Sequence, residues 1–305
     1  MLTSKEKSNL NVQVIKYITW WGLCINLLVS LLKFIVGYAG HSDAVIADGV
    51  HSLSDTVTDI AILLGVKIWN APPDAKHPYG HFKIETMVTS FISIVLAIIA
   101  FGMAYESIFG MMSENNVPPT VIALVGPIVC IGVKEWLFRW NINVGKRIKS
   151  SSLIANAWHH RSDVITSIVA LIAVAAGVID PKLAYIDNIG ALLVSLIILK
   201  VAWDILAPAL SELIDAGASE KIEEQIRVIA VNFKSVKAVH AVRTRKTGSS
   251  IFADMHILVD ESLTVKYGHT ITEELKQKLI DTIPDLIDIV IHIEPFNEEE
   301  LKEDN

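Results

Sequence analysis

Six apolar stretches occupy the first two-thirds of the chain, near residues 15–39, 42–69, 86–110, 119–140, 152–178 and 184–207. Each is long enough to cross a bilayer as a helix, which takes about 20 residues. The second and fifth carry more polar residues than the others and score weakly as spans on hydropathy alone. After residue 210 the pattern changes. Residues 219–232 follow a helical period with acids in the first turn, and 237–246 and 250–259 alternate as strands. Thr247, Gly248, Ser249 and Ser250 form the turn between those strands. Residues 264–282 read as another helix and 287–294 as a third strand. An α-β-β-α-β order predicts a small α+β domain with its helices on one face of the sheet. The chain thus divides into a six-span region (1–209), an α+β domain (210–296) and an acidic, frayed end (297–305).

Composition agrees with that division. Charged residues make up 19% of the chain and hydrophobic ones 52%, whereas an ordinary soluble domain carries about 25% charge. Residues 210–305 hold 19 acidic and 11 basic side chains, a balance of −8 against −7 for the whole chain, so the first two-thirds is close to neutral. That balance argues against nucleic acid as a partner, which needs a basic face. Cys24 and Cys130 lie in separate apolar runs and form no C-x-x-C pair, so neither a disulfide framework nor a thiolate zinc site is expected. The N-terminal stretch is polar, and no small-residue cleavage site follows its apolar run, so the first span is read as retained. Lys5, Lys7 and Lys16 precede that span. The second connection has Lys67, Lys76 and Lys83, and the fourth has Arg139, Lys146, Arg147 and Lys149. The first and third connections have no Lys or Arg, and the fifth has only Lys182. Alternate loops are therefore basic, which places both termini in the cytoplasm and makes the chain an integral protein of the cytoplasmic membrane.

An ionisable residue near the bilayer centre costs at least about 2.5–3.5 kcal/mol on insertion scales, so its presence asks for a reason. The second span contains Asp48, His51, Asp55 and Asp59; the fifth contains His159, His160, Arg161 and Asp163. His51 and Asp55 share an i,i+4 spacing, and so do His159 and Asp163, which puts each pair on one face of its helix. At 1.5 Å per residue all four fall roughly 14–21 Å from the outer side of a core about 30 Å thick. Two imidazoles and two carboxylates converging near the midplane form a four-ligand set suited to tetrahedral Zn²⁺. Asp48, Asp59 and His160 lie off that face or a turn away and are read as supporting or cavity-lining residues. Arg161 either pairs with an acid in the bundle or sits in a hydrated inner end.

Asp74, His77 and His81 form a second cluster in the basic loop between spans two and three. His240, His256, His269, His292 and Glu294 form a third in the α+β domain, where His292 and Glu294 share one face of a strand by period two. No H-E-x-x-H, G-x-S-x-G or P-loop sequence is present, so a protease, a serine hydrolase and a nucleotide-driven pump have no support, and no catalytic cofactor is called for.

Ala47-Asp48-Gly49-Val50-His51-Ser52-Leu53-Ser54-Asp55, then His77-Pro78-Tyr79-Gly80-His81, then Trp158-His159-His160-Arg161-Ser162-Asp163, on six spans with an α+β tail, resembles the cation diffusion facilitator family over about residues 12–296. The resemblance implies a homodimeric metal–proton antiporter that exports divalent cations, commonly Zn²⁺, and a cytoplasmic domain of metallochaperone or ferredoxin-like fold. It implies a transport site at His51, Asp55, His159 and Asp163 and a loop site at Asp74, His77 and His81. It also implies a dimer-interface metal site at His240, His256, His269 and His292, with Glu294 where the family has Asp and one extra residue between His269 and His292. Zn²⁺ would then be substrate and also a structural or regulatory ion. Lys83 and Asp215 fall at the positions of a family interlock between the third span and the tail. Two His with two Asp resembles the zinc branch, since manganese-type members carry Asn or Asp in place of His. Rival readings are a transporter preferring Fe²⁺, Co²⁺, Cd²⁺ or Mn²⁺, and a metal-sensing membrane scaffold that moves nothing.

Overall fold

A computed structural model describes residues 4–69, 71–112, 117–148, 150–248 and 250–296. The connection at 113–116, Ser249 and the acidic end at 297–305 lie outside the described residues. Six long helices come first: α1 Ser4–Ala39, α2 Asp43–Trp69, α3 Lys83–Met111, α4 Val125–Ile148, α5 Ser151–Ile179 and α6 Tyr185–Leu213. There follow α7 Glu220–Val231, β1 Ala238–Thr247, β2 Ser250–Val259, α8 Val265–Thr282 and β3 Leu286–Pro295. The chain divides into two compact units, Met1–Leu63 with Phe91–Ile205, and Leu64–Ser90 with Leu206–Asn305.

Several boundaries differ from the apolar runs. The apolar run begins near residue 15, but α1 begins at Ser4. The fourth run spans 119–140, whereas the α-helix starts at Val125 after a 3-10 turn at Val121–Leu124 and continues to Ile148. Apolarity marks the stretch that matches lipid; the backbone goes on making its own hydrogen bonds beyond it. Among the described residues five helical stretches are long and apolar enough to cross a membrane, and α2 is the long helix missing from them. The fifth stretch qualifies, against expectation. Its polar residues crowd the first turns of α5, and Asn156–Ile179 is apolar enough to qualify despite them.

In the first unit small side chains let the helices approach closely, as membrane helices require. Ala44, Ala47, Ala100, Ala170, Ala173, Val174, Ala191 and Val194 form the buried core, while Leu28, Ile35, Phe91, Ile98 and Ile172 stay exposed. Gly49 is one close approach. A Cβ there would stand 3.3 Å from the Cβ of Lys33 on α1, and across that contact the Ser30 hydroxyl donates to the Gly49 carbonyl at 3.0 Å. The N-terminus of α2 has a remote cap. Asp187, at the start of α6, accepts from the Ser42 hydroxyl and from the backbone N–H groups of Asp43 and Ala44 at 2.6, 2.6 and 3.3 Å. One carboxylate thus serves donors that have no partner within their own helix. Asp187→Ala should lower stability by about 1–3 kcal/mol. Thermal unfolding of the purified protein checks this, and an unchanged midpoint would remove the capping role.

The tail of the second unit has a three-stranded sheet in the order β1-β2-β3. β1 pairs with β2 antiparallel, and β2 pairs with β3 parallel through the α8 crossover. Ile226 and Ala230 of α7, and Ile271, Leu275 and Leu279 of α8, pack with Ala253, Met255, Ile257 and Ile289 from one side of the sheet. The alternate residues, among them Asp254, His256, Val290, His292 and Glu294, are left on the other side. Thr247 pairs with Ser250 across the tight turn, where Gly248 takes φ of 61°.

Candidate functional site

Helix α2 presents His51 and Asp55 one turn apart, and α5 presents His159 and Asp163 with the same spacing. The structure brings three of these together. Ligand-capable atoms of His51, Asp55 and Asp163 all lie within 4.8 Å of one another, and His51 and Asp163 are buried. His159 stands at the edge of the group: its Nε2 is 4.0 Å from Asp55 Oδ2, its Nδ1 is 3.9 Å from Asp163 Oδ1, and its side chain is 48% exposed. Two buried atoms in the group, His51 Nδ1 and Asp55 Oδ2, have no hydrogen-bond partner among the described residues. Buried polar groups are normally paired, so these two fit a cation supplied from outside the chain.

Two lysines absent from the sequence reading enter here. Lys134 of α4 is buried, and its Nζ lies 2.6 Å from Asp163 Oδ2. Lys33 of α1 is buried and pairs with Asp48 Oδ2 at 2.8 Å. It also donates to the hydroxyls of Ser52 and Ser167 at 2.8 and 3.1 Å. Asp48 in turn accepts from Thr166 and Ser167 at 2.8 and 2.7 Å. Asp48 is therefore engaged in a network joining α1, α2 and α5, one turn away from His51. The signal that could have found both lysines is the one used for the second and fifth spans, an ionisable residue inside an apolar run.

The supporting residues separate further. His160 is buried, with Nε2 3.4 Å from Asn156 Nδ2 and Nδ1 unpartnered. Asp59 is exposed. Arg161 pairs with no acid among the described residues. Its guanidinium lies over the rings of Phe138 and Trp158, 4.6 and 5.6 Å from their centroids, on the outside of the helix.

In the loop, ligand atoms of Asp74, His77 and His81 also fall within 4.8 Å of one another. Asp74 accepts backbone N–H bonds from His77 and Lys76 at 2.7 and 2.8 Å, and these two bonds hold its carboxyl below the ordinary range. Its oxygens lie 3.2 Å from His77 Nδ1 and 3.4 Å from His81 Nε2. Lys83 Nζ is 3.2 Å from Asp215 Oδ1, with Asp215 in the left-handed region at φ of 59°.

The tail places His240, His256 and His292 in register across all three strands. Glu294 accepts from His240 Nε2 at 2.7 Å, and its Oε1 lies 2.7 Å from His256 Nδ1 and 3.6 Å from His292 Nε2. Burial pushes the Glu294 carboxyl up, but the His240 and His256 imidazoles outweigh it and hold the group below its ordinary value. The compact group is His240, His256 and Glu294, with His292 beside it. His269 is not brought there. It rides on α8, which packs on the opposite side of the sheet, and it meets His292 only as part of the lining of a cavity of about 480 Å³ beside β3.

Residues 19–214 match the family model described as the cation efflux transmembrane domain, and 218–296 match that of the cation efflux protein, cytoplasmic domain. The chain belongs to the cation diffusion facilitator family. This member of the family is a multi-pass membrane protein of divalent metal cation efflux, with a metal ion as substrate. The manganese efflux system protein MneP of Bacillus subtilis (strain 168) is 30% identical over 94% of this chain and 98% of its own length. An uncharacterized transporter of Methanocaldococcus jannaschii is 35% identical over 83% and 89%. The magnetosome protein MamB of Magnetospirillum gryphiswaldense is 30% identical over 91% and 93%. Among solved structures, the metal-bound C-terminal domain of the CzcD transporter from Thermotoga maritima is 31% identical, over 25% of this chain and 87% of that one, with a TM-score of 0.24.

Proposed function

We propose that this family member exports Zn²⁺ from the cytoplasm in exchange for protons, by alternating access around His51, Asp55, His159 and Asp163. The observation that carries the reading is the pair of buried atoms His51 Nδ1 and Asp55 Oδ2, which lack a hydrogen bond among the described residues and sit beside the Asp163 carboxylate. Two carboxylates balance the charge of a divalent ion. The imidazoles add the nitrogen donors that zinc accepts more readily than manganese or magnesium. His159, about 4 Å from both carboxylates, takes the fourth position when metal draws the group together. A metal and a proton cannot share one imidazole lone pair, so protons arriving from outside displace the ion, and metal arriving from the cytoplasm displaces protons. The basic connections support a cytoplasmic position for both termini.

The loop and tail clusters are read as accessory metal sites. The tail site lies at the interface of a homodimer, where His269, kept from the group in its own chain, joins from a second copy. Metal bound there tightens the dimer and shifts the conformational balance.

One finding favours a second reading. The relative MneP is named for manganese, so Mn²⁺ is the competing substrate. Reconstituted vesicles separate the two. Zn²⁺ uptake should quicken severalfold when the vesicle interior is acidic and should alkalinise that interior; a flux indifferent to the gradient would end the antiport reading. An equal concentration of Mn²⁺ that suppresses Zn²⁺ uptake would transfer the assignment to manganese.

A further inference from the structure

The geometry points to Lys134 as a tethered cation of the transport site. Its ammonium holds Asp163 Oδ2 while the site is free of metal, and an arriving divalent ion competes with it for that carboxylate. The inference rests on the transport site proposed above and concerns what sets metal affinity there.

The two buried lysines of the first unit show the contrast that supports it. Lys33 has every donor engaged: Asp48 carboxylate at 2.8 Å, Ser52 and Ser167 hydroxyls at 2.8 and 3.1 Å, and the Asp48 carbonyl at 3.5 Å. An ammonium has three N–H donors, so that lysine is locked. Lys134 is as deeply buried, yet among the described residues its ammonium makes one polar contact, with Asp163 Oδ2 at 2.6 Å. A cation held by a single carboxylate, itself one of the three grouped ligands, is placed for exchange.

Electrostatics gives the exchange a purpose. Asp55 and Asp163 face each other away from water, and attraction or repulsion between charges grows as the local dielectric falls. On the metal-free return two carboxylates lie side by side, and a fixed ammonium adds to the counter-charge that protons on the imidazoles bring. Lys134 offsets one of the carboxylates. The same positive charge then opposes the metal at close range, which lowers affinity and speeds release. Lys134 acts through Asp163, as a positioning residue.

The test is the split between KM and maximal rate for Zn²⁺ uptake into proteoliposomes. Lys134→Gln removes the competing charge, so KM should fall by about tenfold or more and the maximal rate should fall with it as release slows. Lys134→Arg keeps the charge but grips a carboxylate through two parallel N–H bonds, so KM should rise severalfold. A merely structural lysine would not move KM in opposite directions. A KM for Lys134→Gln at or above that of the wild type overturns the proposal. So does a KM for Lys134→Arg at or below it, and the arginine variant decides alone if the glutamine variant does not fold. Asp55→Asn in the same assay separates the two readings. Flux that survives it means the transport site is elsewhere. Flux that it abolishes, without the Lys134 shifts, removes the lysine's role and leaves the site.

Discussion

Asp55→Asn should reduce Zn²⁺ flux in reconstituted vesicles by more than about a hundredfold, since changing only the outer partners of a metal ligand already costs about 10–100-fold. The substitution keeps the shape of the side chain and removes its charge. Among the described residues Asp55 Oδ2 has no hydrogen-bond partner, so the fold loses little with it. Asp163→Asn should also abolish flux, but it strands Lys134, which is paired with Asp163 at 2.6 Å, and will lower stability as well. Asp55 is therefore the cleaner variant. Initial rates of uptake, normalised to folded protein, give the comparison. Wild-type rates in Asp55→Asn would take the transport site away from α2 and α5.

Lys33→Met should destabilise the protein by about 3–5 kcal/mol, the range for removing one partner of a buried ion pair. Lys33 and Asp48 are both fully buried, so the Asp48 charge that remains has no access to water. Thr166 and Ser167 still donate to it, yet hydroxyls alone do not neutralise a carboxylate in a low-dielectric interior. The double variant Lys33→Met with Asp48→Leu should recover most of the loss, because replacing a whole buried pair by apolar residues is often neutral or stabilising. Thermal unfolding in detergent reads both. If the single variant melts with the wild type, the network does not hold α1, α2 and α5 together.

Much of the architecture was legible along the chain because it is written in local periodicity. The tail elements α7, β1, β2, α8 and β3 end within about two residues of their patterns. The i,i+4 spacing of His51 with Asp55, and of His159 with Asp163, likewise states which side chains share a helix face. Pairings between helices have no such signature. Lys33 meets Asp48, Lys134 meets Asp163, and Asp187 caps a helix 143 to 145 positions away; only packing brings these residues together. His269 shows the same limit in the tail. Its type suggested a ligand, but the apolar positions of α8 fix that helix to the side of the sheet that His256 and His292 face away from. Arg161 found its place through two aromatic rings, an arrangement that charge counting does not reveal. The polar residues of α5 cluster toward one end, so Asn156–Ile179 qualifies as a span on hydropathy despite them.

Transport as proposed requires a metal ion bound by nitrogen and oxygen within the helices. Zinc-edge X-ray absorption tests that directly on the full chain with His77, His81, His240 and His256 replaced by Ala, which disables the loop and tail clusters. The prediction is one retained Zn²⁺ with two nitrogen and two oxygen ligands at about 2.0–2.2 Å. Zinc that is not retained, or that is held by oxygen alone, would contradict the assignment of His51, Asp55, His159 and Asp163 as the transport site.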